Sequence, residues 1–481
     1  MTRSFMSPTL SRPLQHALGC CLAGLLCAVV PPPARASART IVEAHGITQI
    51  ALAGKRVIYA PENRVIDSII PGAQARKLAS GPGPTGRVTT SHGTYDVSQL
   101  VWGASAQSLA YLWETARSSP GRTANTAVER AGPLDGPLAP LGICGTLLLS
   151  DPGVSADFPL LAVEGTYVAA WPSCPPADSS PSILIRHTAT GTDTTIAIPP
   201  GTHIRKLALS GSSLAAYEQD ASGRAAVVVY DIGTGLQRYR VDASTSGSIA
   251  ALTVQSDGTA AVAFDATPPG PVLTSPTRVI DWTSPTAPTF HKIATGACIV
   301  FPGVALRIAN NIIARDDCHA ITLRDLTGAT VSDPIALGQL STPAFDFDGT
   351  NVAAAIPICD GNLAVQLAAA TGNDSSKPSP ACPASIASRS LRLRRTATTT
   401  LLRCTRGCRG TLSLAAAGAT TTSTKFVLHA PGGTVALTRL PKPLRKRANQ
   451  RGGTPITLNL ATYNLDGRIR HQHRRLQLTA H

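Results

Sequence analysis

Short runs in which apolar and polar residues alternate, each split by a small turn, recur along most of the chain. The first is IALAGKRVIYA (50–60), followed by LVWGASAQSLAYLW (100–113) and LLAVEGTYVAAW (160–171). LALSGSSLAAYEQ (207–219), LTVQSDGTAAVAF (252–264), VALRIANNIIARDD (304–317) and FDFDGTNVAAAI (345–356) complete the set. Period-two alternation on both sides of a tight turn is the pattern of a β-hairpin. The turns share a small or polar residue before glycine, as in Glu164-Gly165, Ser210-Gly211, Asp257-Gly258 and Asp348-Gly349. The hairpins begin 41 to 60 residues apart.

Several hairpins lead into a third apolar run that ends at a glycine turn: SILIRHTATG (182–191), AAVVVYDIGTG (225–235), AITLRDLTG (320–328) and LAVQLAAATG (363–372). A unit of about four short strands repeated every ~40–50 residues is the blade of a β-propeller. One blade cannot bury both faces of its sheet, so blades must stack radially and close into a ring. The chain is therefore expected to be all-β. Seven windows predict seven blades, or six should one window be a false match. An array of β-sandwiches accounts less well for the hairpin-then-strand order.

TYDVSQLVWGASAQSLAYLW (94–113) and FDFDGTNVAAAIPICDGNLAVQLAAATG (345–372) resemble the exported TolB-like or WD40-like β-propeller proteins of high-GC actinobacteria. The resemblance covers residues from about 40 to 385 and implies the propeller architecture, on which many functions are carried. The intracellular WD40 branch is a poor match, since Asp281-Trp282 is reversed and isolated and its GH partner is missing. Residues 386–481 read as further strands around SLRLRR, TLLRCTRGCRGTLSLAA, KFVLHA, TVALTRL and a last pair turning at Asn464-Leu465-Asp466-Gly467. They resemble the small Ig-like or fibronectin-like β-sandwich modules that end many such proteins. PKPLRKRANQR (441–451) is the expected polar connection, with about one helical turn.

Composition adds a compartment. Arg3 and Arg12 precede the apolar run HALGCCLAGLLCAVV, Pro31 to Pro33 end it, and ARASA offers a cleavage site after Ala38. Residues 1–38 thus read as an export signal, leaving 39–385 for the propeller and 386–481 for the module, with no later span apolar enough for a membrane helix. Secretion or display at the cell surface by the general route is expected. Eight cysteines remain after the signal: Cys144, Cys174, Cys298, Cys318, Cys359, Cys382, Cys404 and Cys408. An even number in an exported chain points to disulfides, with neighbours in sequence as the default pairing. Their intervals lack the paired spacing of a zinc site.

Charge divides the chain. Residues 386–481 hold eighteen Lys plus Arg against one acid, Asp466, whereas residues 39–385 hold 22 basic and 27 acidic residues. The overall +15 thus describes the small module. Arg445, Lys446, Arg447, Arg451, Arg474 and Arg475 are the expected contacts to a polyanion. Phe426 and Tyr463 are the only aromatics in the module, so specific nucleic-acid recognition by base stacking is disfavoured.

Chemistry is sparse. There is no P-loop, Rossmann loop, GxSxG elbow or HExxH. Asp346 and Asp348 suggest a calcium loop, but the further acidic ligands of one are missing, and the repeat explains them as strand and turn. Asp316-Asp317-Cys318-His319 is the one local cluster of ligand-type residues. No catalytic, cofactor-binding or metal residue is assigned. The expected function is a non-enzymatic exported propeller, a binding or scaffold module at the cell envelope. Its basic module would contact anionic cell-wall polymer or an envelope protein. The alternative is a secreted propeller hydrolase or lyase acting on polysaccharide or peptide, which acids converging on the propeller axis would favour.

Overall fold

Each of the seven predicted hairpins forms the first two strands of a four-stranded antiparallel sheet in the computed structural model of the protein. The description covers residues 39–480 apart from 62–64, 81–94, 120–121, 143–159, 172–180, 244–247, 267–276, 298–305, 317–319, 333–334, 337–343, 371–380, 417–418 and 466–467. The expected export signal, Cys144, Cys174, Cys298, Cys318 and the rest of the Asp317-Cys318-His319 cluster fall outside the described residues.

The sheets are the blades of a closed ring. Their inner strands are, in order, Ile47–Ala53, Tyr95–Ala104, Leu160–Glu164, His203–Ser210, Ser248–Val254, Leu306–Ala309 and Phe345–Phe347. Each lies against the inner strand of the next blade, and the last lies against the first. Seven hydrophobic cores fill the seven blade–blade interfaces. The second strand of a hairpin is consequently buried on both faces, as at Val168–Trp171 and Val352–Ile356. Packed sheets stand ~10 Å apart, and radiating blades are closest near the axis. That geometry selects the small residues of YVAAW, LAAYE and VAAAI.

Blade 7 takes its outermost strand from the opposite end of the ring's sequence. Arg39–Ala44 pairs antiparallel with Leu363–Ala369, with Arg39 opposite Leu367 and Ala44 opposite Leu363. Ile41, Val42 and Ala44 pack against the core shared by blades 7 and 1.

The hairpin turns also touch one another from blade to blade. Ser105 Oγ donates to Gly165 O at 2.7 Å between blades 2 and 3. Gln255 and Asn311 exchange two hydrogen bonds between blades 5 and 6. A Cβ placed on Gly211 would stand 2.8 Å from the Cβ of Ser256 in the next blade, and the residue has φ +56°. Glycine is needed there for both the left-handed turn and the close approach.

Beyond the propeller, eight strands form one sheet that curls around its own core, seven of them along one hydrogen-bonded path. The order is Ala384–Ile386, Ala397–Cys404, Leu391–Arg394, Ile469–Thr479, Thr454–Tyr463, Cys408–Ala416 and Ala419–Leu428, with Gly432–Leu437 paired to Ala397–Cys404. Leu391–Arg394 joins the two halves, antiparallel to one neighbour and parallel to Ile469–Thr479. The module thus takes the form of a single curled sheet. Its polar connection contains the helix Lys442–Ala448, which buries Leu444 and Ala448.

The ring and the curled sheet belong to one compact unit, Ala36–His481. A Cys359–Cys382 disulfide ties a turn of blade 7 to the start of the sheet, with Cα atoms 5.4 Å apart. Beside it Asp360 pairs with His429 Nδ1 at 2.7 Å, and the Cys382 N–H donates to Asn464 Oδ1 at 3.1 Å. Cys404–Cys408 closes a short loop whose Gly407 packs on Asp360. Both pairings join neighbouring cysteines.

Gly211→Ala is expected to cost ~2–4 kcal/mol, combining left-handed strain with overpacking against Ser256. Gly191→Ala has the strain (φ +71°) but nothing within 4 Å, so a loss of about 1–2 kcal/mol is expected. Equilibrium unfolding in urea checks this, and equal losses would contradict the turn-to-turn packing.

Candidate functional site

Seven inner strands surround the propeller axis, and three of them bring Arg307 and Glu164 within interaction range of Asp346. Asp346, in the middle of the blade 7 inner strand, is clamped from both sides. One carboxylate oxygen accepts the Leu52 N–H of blade 1 at 2.7 Å. The other accepts Arg307 Nε of blade 6 in an ion pair. A single carboxylate therefore bridges three consecutive blades across the point where the ring closes.

Asp348, two residues on, has a different task. It accepts from the Thr350 N–H at 2.8 Å, the Asn351 N–H at 2.7 Å and Thr350 Oγ1 at 2.8 Å. Burial pushes its pKa up, but those hydrogen bonds outweigh it and hold the carboxyl below its ordinary range. Its oxygens are committed to the turn, which is the hairpin reading of this stretch. No group of three or more metal-ligating side chains occurs among the described residues.

Two further charged residues on inner strands have shifted pKa values. Glu164 ends the blade 3 inner strand, exposed to solvent yet hemmed in by the ring. Burial among protein atoms pushes its pKa up, and the charge of Asp346 across the axis adds to this. Solvent reaches this side chain without hydrating it fully, which reconciles an exposed carboxylate with a desolvated one. On blade 4, Lys206 is half-buried, and burial lowers its pKa. The axis is therefore polar and charged. Asp346 is consumed by structure, whereas Glu164 is open to solvent.

The six predicted polyanion contacts divide between three places. Arg445, Lys446 and Arg447 lie in the last turns of the helix Lys442–Ala448, Arg451 is exposed just beyond it, and Arg474 and Arg475 lie on Ile469–Thr479. Arg474 Nη1 donates to the Ile386 carbonyl. Arg475 lies on the opposite face, which looks outward. Within the module, His429 pairs with Asp360 of blade 7. Glu164 stood in the repeat as the residue before the turn glycine, but its relation to Asp346 depends on ring closure and has no local signal.

Fold and site together define a seven-bladed β-propeller fused to a cationic curled sheet. No protein-family model matches the chain, and no curated protein matches it. Among solved structures it is similar to a prolyl endopeptidase, at 14% identity over 76% of this chain and 54% of that one, with a TM-score of 0.38. The chain thus spans about half the length of that protein. It is also similar to an oligogalacturonate lyase from Vibrio parahaemolyticus, at 9% identity over 57% and 75% of the two chains, TM-score 0.38. The computationally designed Ika8 protein matches at 14% identity over 75% and 96%, TM-score 0.36. At these scores the likenesses carry no inference about activity or ligand.

A raised pKa in the folded state means that the fold favours the protonated Glu164. That contribution is full below the ordinary glutamate range and is lost as pH rises through the folded value. Glu164→Gln is therefore expected to raise the urea midpoint above that of the parent at pH 8 and to match it near pH 4. An equal difference at both pH values would show that Glu164 is not desolvated.

Proposed function

We propose that this is an exported, non-enzymatic β-propeller that serves as a binding or scaffold protein at the cell envelope, held there by its basic sheet. The observation that carries the reading is the charge imbalance of residues 386–481, eighteen basic residues against one acid. Positive charges crowded on one small sheet repel each other, and a polyanion relieves that repulsion while releasing its own counterions. The Cys359–Cys382 and Cys404–Cys408 disulfides support an oxidising location outside the cytosol. Fixed to blade 7 by a disulfide and by Asp360–His429, the sheet would present the ring at the surface to which it binds.

A secreted hydrolase or lyase is the second reading, and Glu164 is the observation that favours it. A desolvated carboxyl with a raised pKa is the property a general acid needs. Asp346, the acid that Glu164 faces, is held by Arg307 and Leu52 and so does not supply the second carboxylate.

The full chain without residues 1–38 is expected to be retained on immobilised anionic cell-wall polymer at low salt and released as salt rises. The logarithm of affinity should fall with the logarithm of salt by roughly one unit per neutralised charge. Reversing Arg445, Lys446 and Arg451 to Glu should bring elution to lower salt. Retention indifferent to both salt and charge reversal would overturn electrostatic anchoring.

A further inference from the structure

The outward face of the curled sheet carries a feature that bulk charge does not explain. Four neighbouring strands, Ala419–Leu428, Cys408–Ala416, Thr454–Tyr463 and Ile469–Thr479, lie side by side in that order. Along the two middle strands alternate residues are buried, so the intervening ones form the solvent face. Cross-strand register then sets that face out in rows. Lys425, Thr411, Ala461 and His471 make one row. Ser423, Ser413, Asn459 and His473 make the next. In a third, Ala415 and Thr457 lead to Arg475.

The two central strands bear mostly small side chains in these rows, and the flanking strands bear the longer ones, Lys425 on one side and His471, His473 and Arg475 on the other. The result is a shallow trough, about 14 Å across four strands, with rows spaced roughly 7 Å along it. Hydroxyls and the Asn459 amide floor it. Lys425 stands on one side; His471, His473 and Arg475 stand on the other, all exposed. His473 Nδ1 donates to Asn459 Oδ1 at 2.6 Å, which fixes both at the trough's edge.

One end has a different character. Val427 lies beside Arg409, and Tyr463 beside Ile469, with the Arg409 guanidinium 6.0 Å from the Tyr463 ring centre. Val427, Tyr463 and Ile469 are 59%, 39% and 49% exposed, with Tyr463 and Ile469 adjacent and Arg409 between them and Val427. Arg409 also reaches Gly361 of blade 7, so this end abuts the propeller.

We propose that this trough is a binding site for an acidic polysaccharide, a glycan that carries carboxylates along its length. Lys425, Arg409 and Arg475 pair with the carboxylates, the hydroxyl and amide floor bonds sugar hydroxyls, and Tyr463 with Ile469 takes the apolar face of a sugar ring. The module's single acid, Asp466, is absent from these rows. The face therefore complements an anion along its whole length. A single exposed tyrosine serves one sugar ring but not a stack of bases, which sets the glycan above nucleic acid. The assignment rests on the proposed polyanion binding and specifies the chemistry and the face.

The test uses substitutions that leave net charge unchanged. Full chain lacking residues 1–38 is titrated with polygalacturonate, with its fully methyl-esterified form and with duplex DNA, at one fixed salt concentration. Tyr463→Ala, Asn459→Ala and Ser413→Leu, the last filling the floor, are each expected to weaken polygalacturonate binding at least fivefold. DNA binding by these variants and their melting temperatures should stay close to those of the parent, and the esterified polymer should not bind the parent. Polygalacturonate binding unchanged in all three variants, while Arg445→Glu/Lys446→Glu weakens it, would overturn the trough and leave electrostatic anchoring standing. Equal losses for polygalacturonate and DNA would overturn the glycan in favour of nucleic acid. No binding of the parent to any polyanion would sink both readings.

Discussion

The structure depends on closing a ring. Each blade has two apolar faces, and seven cores exist only because every blade has a neighbour on both sides. An open arc would leave two sheet faces bare, a cost no local hairpin could offset. Closure is achieved at one seam. Arg39–Ala44 completes blade 7 at the rim, and Asp346 links blades 6, 7 and 1 at the axis. Rim and axis are thus secured by different forces, one a backbone ladder and the other a carboxylate shared between a backbone N–H and a guanidinium.

The same seam supports the second part of the molecule. Blade 7 carries Cys359 and Asp360 on one turn, and both reach into the curled sheet. A mildly acidic ring and a strongly basic sheet are thereby joined through the blade that also closes the ring. The charge division is functional in this reading because eighteen basic residues share the module with a single acid. Some of that charge also has a structural use. The half of Ile469–Thr479 from 469 to 475 has a strand partner on one side only, and arginines and histidines there discourage pairing with another sheet edge.

Much of the architecture was legible because strand pairs joined by tight turns leave a period-two pattern. FDFDGTNVAAAI is the plainest case, with Phe345 and Phe347 buried and Asp348 capping the turn. RTIVEA (39–44) was not read as a strand of the last blade, since its partner lies some 320 residues away and nothing local marks the pairing. Two-residue outer strands such as Ala139–Pro140 and Ile335–Ala336 are too short to show any period. Asp346 was legible as a strand residue and illegible as a clamp, because Leu52 and Arg307 become its neighbours only when the ring closes. In the basic sheet, the cationic composition was plain, but the trough emerges only from the register that sets small residues between long ones.

Amide hydrogen exchange on residues 39–481 tests ring closure most directly. The amides of Leu363–Ala369 lie in the middle of a four-stranded blade if Arg39–Ala44 pairs with them, and along a bare edge if it does not. They are predicted to exchange as slowly as those of Ala225–Asp231, the corresponding third strand of blade 4. Fast exchange along Leu363–Ala369, with Ala225–Asp231 protected, would contradict the closed ring.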